Sequence, residues 1–254
     1  MLGIDIIGNI AILKFDKTVK LKDKKKIAND FLKEHKSVTT ILEKQDKFKG
    51  RLRTQKTKWL AGEKTKEALY KENGCVFRLN VDSCYFSPRL ASERLDLAKG
   101  VKKKEEVLVM FGGVGPFAIV ISKIANPRKI ISIELGRECS KYAELNVKRN
   151  KLRNVEIIQG DVRKKTPNEK YDRIVMARPN LKDSFLDVAF NVCKKNSLIN
   201  YYGFYKEDEK DEMLKMIELE AKNAGKKIKI LNVKKAGDVG AYKYRYRVDL
   251  RILN

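Results

Sequence analysis

The chain has 254 residues, and 57 Lys and Arg against 33 Asp and Glu give it a formal net charge of +24, with 43% hydrophobic residues. This length fits one large domain or two small ones, and the steady recurrence of Leu, Ile, Val and Phe excludes a disordered basic tail. The longest apolar runs, residues 107–111 and 118–121, fall far short of the roughly 20 residues that cross a bilayer. Residues 1–16 lack the basic-then-apolar order of a signal peptide, so an intracellular, cytoplasmic protein without membrane association is expected. The charge excess points to a polyanionic partner, nucleic acid first; a Lys-rich proteome is the plainer source of the same excess. Cys75, Cys84, Cys139 and Cys193 form no C-x-x-C pair, and His35 is the single histidine. No metal site or disulfide framework is expected, the cysteines read as reduced core residues, and acid–base chemistry falls to carboxylates.

In chain order, residues 8–13 read as a strand and residues 23–36 as a helix with Ile27, Phe31 and Leu32 on one face. Residues 38–42 are a second strand, and residues 50–63 carry Arg51, Arg53, Lys56, Lys58 and Trp59. Glu72-Asn73-Gly74 marks a turn before a strand at 75–81. From about residue 93 helices and strands alternate: helices at 92–99, 116–124, 137–150, 182–193 and 206–224, strands at 107–110, 130–133, 155–158, 171–176 and 197–201. Two closing strands follow at 227–233 and 244–253. This alternation predicts an α/β fold with a parallel, doubly wound sheet and an antiparallel edge, residues 93–254, preceded by a small α+β domain, residues 1–92.

In such a sheet, ligands bind outside the carboxyl ends of the strands, next to the first strand-to-helix turn. Here the turn is Phe111-Gly112-Gly113-Val114-Gly115-Pro116. Gly113 and Gly115 allow close backbone approach, or alternatively only tight packing. The turn is not G-x-G-x-x-G, and Pro116 removes an N–H from any phosphate cradle, so dinucleotides and triphosphates are disfavoured. Glu134, about 20 residues on, is placed to accept from both ribose hydroxyls. Asp161, at the end of the third strand, is placed to accept from an adenine amino group. Either acid read alone is equally a helix N-cap. Together they describe a nucleoside site without a phosphate cradle, which points to S-adenosylmethionine. After the fourth strand comes Ala177-Arg178-Pro179-Asn180, where base methyltransferases place a loop against their target.

These residues resemble the archaeal and eukaryotic tRNA (guanine-37-N1)-methyltransferase family. The resemblance runs in order through Ile7-Gly8-Asn9-Ile10-Ala11, Arg51-Leu52-Arg53-Thr54, Leu60-Ala61-Gly62-Glu63, Lys71-Glu72-Asn73-Gly74-Cys75, residues 86–94, residues 110–117 and residues 246–251. The most specific stretches are Phe86-Ser87-Pro88-Arg89-Leu90 with Glu93-Arg94, and Gly113-Val114-Gly115-Pro116-Phe117. It implies a Rossmann-like, S-adenosylmethionine-dependent domain and a tRNA anticodon stem-loop as partner of a monomer. It further implies Glu93 as general base for guanine N1, and Arg53 as the cation beside O6. Tyr85, Arg89, Phe111, Gly113, Val114, Gly115, Glu134 and Asp161 are then expected around the cofactor, and Ala177, Pro179 and Asn180 around the base. Without the resemblance, Glu93 and Arg94 read as a first-turn acid and a solvated arginine.

The sequence departs from the family at two places. Val109 stands where Asp is usual, removing a polar contact behind the cofactor, and Ala177 stands where Asn is usual. The resemblance implies that full-length relatives carry a further N-terminal domain that grips the tRNA corner, and this sequence is expected to start directly at the catalytic core. Basic residues around 44–58 and 234–247, with Trp59, Tyr242, Tyr244 and Tyr246 among them, are expected to hold phosphates and stack bases, or else to serve as strand core. Two alternatives stay open: methylation of C7 of the tricyclic 4-demethylwyosine at the same tRNA position, and a non-catalytic tRNA-binding protein.

Overall fold

The computed structural model describes residues 3–46 and 48–254. Strands β1 (Gly3–Ile7) and β2 (Ile10–Lys14), helix α1 (Leu21–Glu34), and strands β3 (Thr40–Lys44) and β4 (Thr57–Gly62) form the N-terminal layer. Its sheet runs β1-β2-β3-β4, with β2 and β3 parallel and joined through α1. The strand expected at residues 8–13 is β2, which starts at Ile10; Gly8 and Asn9 form a tight turn that joins it to β1. Gly8 makes that turn at φ +57, where a Cβ would lie 1.9 Å from the Leu69 carbonyl oxygen, so no larger residue fits. The buried face of α1 is set by Ala28 and Phe31, whereas Ile27 is exposed.

A hairpin follows, β5 (Glu67–Glu72) and β6 (Cys75–Asn80). Its Asn73-Gly74 link has φ values of +47° and +71°, as a two-residue hairpin turn requires. The remaining elements are α2 (Ala91–Lys99), β7 (Glu106–Met110), α3 (Pro116–Ala125), β8 (Lys129–Glu134), α4 (Arg137–Arg149), β9 (Val155–Gln159), α5 (Val162–Lys165), β10 (Tyr171–Met176), α6 (Leu186–Val192), β11 (Cys193–Lys206), α7 (Lys210–Asn223), β12 (Ile228–Gly240) and β13 (Lys243–Ile252). They build one seven-stranded sheet in the order β12-β13-β11-β10-β7-β8-β9. Strands β7 to β11 are parallel neighbours, while β13 joins β11 and β12 antiparallel, so the expected antiparallel edge is present.

Every residue from Val107 to Met110 is fully buried, as befits a central parallel strand covered on both faces. Val107 and Val109 pack with α3 on one face, and Leu108 and Met110 pack with α6 and α7 on the other. The N-terminal sheet closes a small core of its own around Leu13, Phe31 and Ile41. Its opposite face, through Ile10, Ile12 and Leu42, joins the core that contains α3. The β5–β6 hairpin is fixed to α4 by side-chain amides: the backbone N–H groups of Val76 and Arg78 donate to Asn150 and Asn146 at 2.9 and 2.7 Å.

All four cysteines are buried and free. Among the described residues no helix is long and apolar enough to cross a membrane.

Candidate active site

From β7 the chain steps outward through β8 and β9, then returns to lay β10 on the other side of β7. At this reversal a cleft opens at the carboxyl ends of the four strands, with about 1090 Å³ of space counting its open mouth. Its walls are Phe111, Gly112 and Gly113 after β7, Glu134 and Leu135 after β8, Gly160 and Asp161 after β9, and Ala177, Pro179 and Leu181 after β10.

The turn after β7 is shaped by backbone demands. Phe111, Gly113 and Gly115 all have positive φ, and a Cβ on Gly112 would lie 2.2 Å from the Ser132 hydroxyl oxygen. Gly113 is tied down by Glu134, whose two oxygens accept the N–H groups of Gly113 at 2.8 Å and Gly136 at 2.7 Å. Burial raises the Glu134 pKa, while the N–H groups of Gly136, Gly113 and Leu135 work the other way. Asp161 N-caps α5 by accepting from the Arg163 N–H at 2.9 Å, and its other oxygen accepts from the Arg51 guanidinium at 2.7 Å. The Arg163 N–H and Arg51 hold its pKa below the ordinary carboxylate range.

Across the cleft stand Arg51, Leu52 and Arg53 from the turn before β4, and Tyr85, Phe86 and Ser87 before α2. Arg53 has φ +52°, a costly conformation for a side-chain-bearing residue, and its guanidinium lies 4.2 Å from the Tyr85 ring centre. Its Nε is buried without a hydrogen-bond partner among the described residues. Arg245 of β13 also lines the cleft: it is buried, its Nε likewise lacks a partner among the described residues, and its guanidinium lies 4.9 Å from the Phe204 ring centre. A second cavity, about 1710 Å³, runs toward β1 and shares Tyr85, Phe86, Ser87, Leu90, Phe204 and Arg245 with the first.

Glu93 is not on the cleft wall. Cleft-lining Leu90 and Arg94 flank it, but the Glu93 carboxylate points to the last strands. Its Oε1 accepts from the Tyr202 hydroxyl at 2.7 Å and from Arg247 at 2.8 Å, and its Oε2 pairs with Lys234 at 2.9 Å. Arg94 is no solvated arginine either. It is 2% exposed, and two of its nitrogens bind the two Glu72 oxygens at 2.6 and 2.5 Å.

Of the other residues placed from sequence, Tyr85, Phe111, Gly113, Glu134, Asp161, Ala177, Pro179 and Arg53 meet in the cleft. Val114 and Gly115 do not: Val114 is fully buried in the core, and Gly115 precedes α3 packed against Ile119 and Ala143. Arg89 lines the second cavity instead and pairs with Asp5 at 2.9 Å. Asn180 is exposed and off the wall, because Arg178 turns inward and gathers the loop, donating to the carbonyls of Leu181 and Asp183 and to the Tyr201 hydroxyl. Val109 lies wholly within the core, away from the cleft.

The basic stretch 234–247 is largely turned inward: Lys234 and Arg247 are held by Glu93 and Asp96, and Tyr246 is core. Tyr242 and Trp59 stay exposed. Sequence reasoning missed Arg245, Arg51's pairing and Arg178. Arg245 and Arg247 alternate with Tyr244 and Tyr246 in β13, a pattern that ordinarily marks a solvated face, so their burial had no local signal.

The geometry has counterparts among known proteins. Residues 68–231 match the model of the TRM5/TYW2 methyltransferase domain, and residues 3–65 match that of the TYW2 N-terminal domain. The tRNA (guanine(37)-N(1))-methyltransferase Trm5b of Pyrococcus abyssi is 35% identical over 98% of this chain and 74% of its own. Its crystal structure superposes with a TM-score of 0.89 over 99% of this chain and 75% of that one. The tRNA (guanine(37)-N(1))/4-demethylwyosine(37)-methyltransferase Taw22 of Nanoarchaeum equitans is 34% identical over 98% of this chain and 99% of its own. Trm5 of Methanocaldococcus jannaschii, solved in complex with adenosine, is 27% identical with a TM-score of 0.84, covering 100% of this chain and 75% of that one. With its cleft at the sheet reversal and the family's domain matched over most of its length, the chain belongs to the TRM5/TYW2 methyltransferase family.

Proposed function

We propose that the protein methylates N1 of guanosine-37 in tRNA, using S-adenosylmethionine. The observation that carries this reading is the pairing, within one cleft, of a nucleoside cradle with a half-buried arginine, Arg53, that is stacked on Tyr85 and has no carboxylate partner among the described residues. The cradle fits an adenosyl group: Glu134 offers carboxylate oxygens for ribose hydroxyls, Asp161 faces the same space, and Phe111, Leu135, Pro179 and Leu181 supply apolar walls. S-adenosylmethionine supplies a methyl group on a sulfonium, which a nitrogen lone pair attacks. Glu134 and Asp161 orient the nucleoside, while Phe111 and Pro179 keep water from the reacting centre.

The target base leaves the anticodon loop to enter the cleft, as chemistry on a stacked base requires. Neutral guanine N1 is a poor nucleophile, so its proton must leave while charge on O6 is held. Arg53 holds that charge. Glu93 accepts the proton by turning from Arg247 toward the cleft, from a helix whose Arg94, and Leu90 just before it, already line it. Incubating an unmodified tRNA transcript with labelled cofactor and mapping the product tests the reading. Absence of methyl transfer to guanosine-37 rejects it, and absence of cofactor binding in calorimetry leaves a tRNA-binding protein instead.

A second reading, C7 methylation of 4-demethylwyosine at position 37, is favoured by the cleft-lining Ala177 and the nearly full-length match to the dual-specificity relative. A tRNA already bearing the tricyclic base, analysed by mass after incubation, separates the two.

A further inference from the structure

We propose that Arg245 is a second substrate-binding arginine, which donates to the O6 oxygen of the target guanine from the wall opposite the cofactor cradle. The proposal rests on the guanosine-37 reaction put forward above. Three arginines approach this part of the cleft, and they differ in one respect. Arg94 is neutralised by Glu72 through two hydrogen bonds, whereas neither Arg53 nor Arg245 has a carboxylate partner among the described residues. Arg245 is 8% exposed, its Nε has no hydrogen-bond partner among the described residues, and the Phe204 and Tyr202 rings face its guanidinium at 4.9 and 5.7 Å.

A buried guanidinium without a carboxylate partner is costly, and the two aromatic faces offset only part of that cost. Burial lowers its pKa; the Tyr85 and Tyr202 hydroxyls oppose that effect, and Arg53 and Arg94 add to it. Its place on the wall shared by both cavities sets it where a base entering from the second cavity meets the first.

The occupant that suits this site is neutral on entry and anionic during reaction. An RNA phosphate carries its charge throughout and would have to be stripped of water before reaching a guanidinium this deep, whereas guanine crosses an apolar cleft uncharged. When the N1 proton passes to the base, the electron pair left behind spreads over N1 and O6. As the N1–carbon bond forms and the carbon–sulfur bond breaks, O6 returns to a neutral carbonyl and the sulfur leaves as a thioether. Two guanidinium groups without counter-ions stabilise the middle of that sequence more than its ends, which is the condition for raising the rate instead of tightening binding.

The test is methyl transfer to a guanosine-37 transcript by wild type, Arg245→Gln and Arg245→Lys, across pH, with cofactor affinity measured by calorimetry. Wild-type activity comes first: its absence rejects the reaction itself, while an active wild type isolates the role of Arg245. Arg245→Gln is expected to lower kcat by about 100-fold with KM for tRNA changed less than about threefold, and Arg245→Lys to recover part of kcat. The rising limb of its pH–rate profile moves to higher pH, since N1 gives up its proton less readily without the cation. Unchanged kcat overturns the proposal. So does a raised KM at intact kcat with a salt slope shallower by about one, which marks a phosphate contact. Loss of cofactor binding in both variants marks a structural role and overturns it as well.

Discussion

Glu93 and Arg247, 154 positions apart, form a buried ion pair at 2.8 Å that ties α2 to the last strand of the chain. Their side chains are 6% and 8% exposed, so neither charge is relieved by water. Removing one partner of such a pair strands the other, at a cost of about 3–5 kcal/mol. Arg247→Met is therefore expected to lose stability toward the lower end of that range in urea denaturation, because Lys234 still reaches Glu93. The double variant Glu93→Gln/Arg247→Met should recover part of the loss. A double variant whose loss equals the sum of the two singles would show that the two do not act as a unit.

Arg51 stands in the way of a ligand at Asp161. The pair measures 2.7 Å, with the arginine half exposed and the acid largely covered. Exposed pairs of this kind contribute about 0–1 kcal/mol. A group that must hydrogen-bond Asp161 has to displace Arg51, so Arg51→Ala should tighten S-adenosylmethionine binding by up to about fivefold in calorimetry at low salt, and less as salt screens the wild-type pair. Weaker binding by the variant would mean that Arg51 contacts the cofactor instead of competing with it.

Glu134 carries the pH dependence of the cradle. Its folded pKa is raised above the ordinary carboxylate value of 4.5 by burial, so the folded state holds the proton more tightly than the unfolded chain. Its contribution to stability is then fully present below 4.5 and is lost as the pH rises through the folded pKa. Glu134→Gln cannot ionise, but it offers one acceptor to the two N–H groups of Gly113 and Gly136 and should cost about 1–3 kcal/mol. Measured by urea denaturation without cofactor, its deficit relative to wild type is expected to narrow from pH 4.5 toward pH 8. A deficit that widens over that interval would reverse the assigned sign.

Much of the sheet was readable because its signal is periodic and local. The strand at Tyr171–Met176 and the helix at Arg137–Arg149 stand within a residue of expectation, as does the hairpin turn at Asn73-Gly74. What failed depends on contacts distant in sequence. The helix expected from residue 182 starts at Leu186, since Arg178 and Asp183 organise the intervening loop and Phe185 takes φ +60°. Glu134 and Asp161 were legible from their strand-end spacing, yet Arg51 on Asp161 was not, being 110 residues away. Likewise an arginine in an alternating strand looks solvated until the side chains that cover it are known, Phe204 and Tyr202 for Arg245 and Glu93 for Arg247, which is why both went unread. Motif resemblance brought Glu93 to notice, but only packing shows that its carboxylate faces Arg247 and Tyr202.

Net charge makes the last prediction. Of the +24 total, part is spent inward: Lys234, Arg94, Arg173 and Arg247 are committed to carboxylates, and Tyr246 is core and cannot stack on a base. The surface cations that remain, among them Lys44 beside Phe48 and Lys58 beside exposed Trp59, are the ones available to phosphates. If they neutralise six to ten phosphates of a tRNA, affinity should fall by about 10³–10⁵ between 50 and 200 mM salt. Filter binding across that interval measures the slope, and Lys44→Glu or Lys58→Glu should each make it shallower by about one or more. A flat response would detach the charge from tRNA binding and leave it as a compositional habit of the proteome.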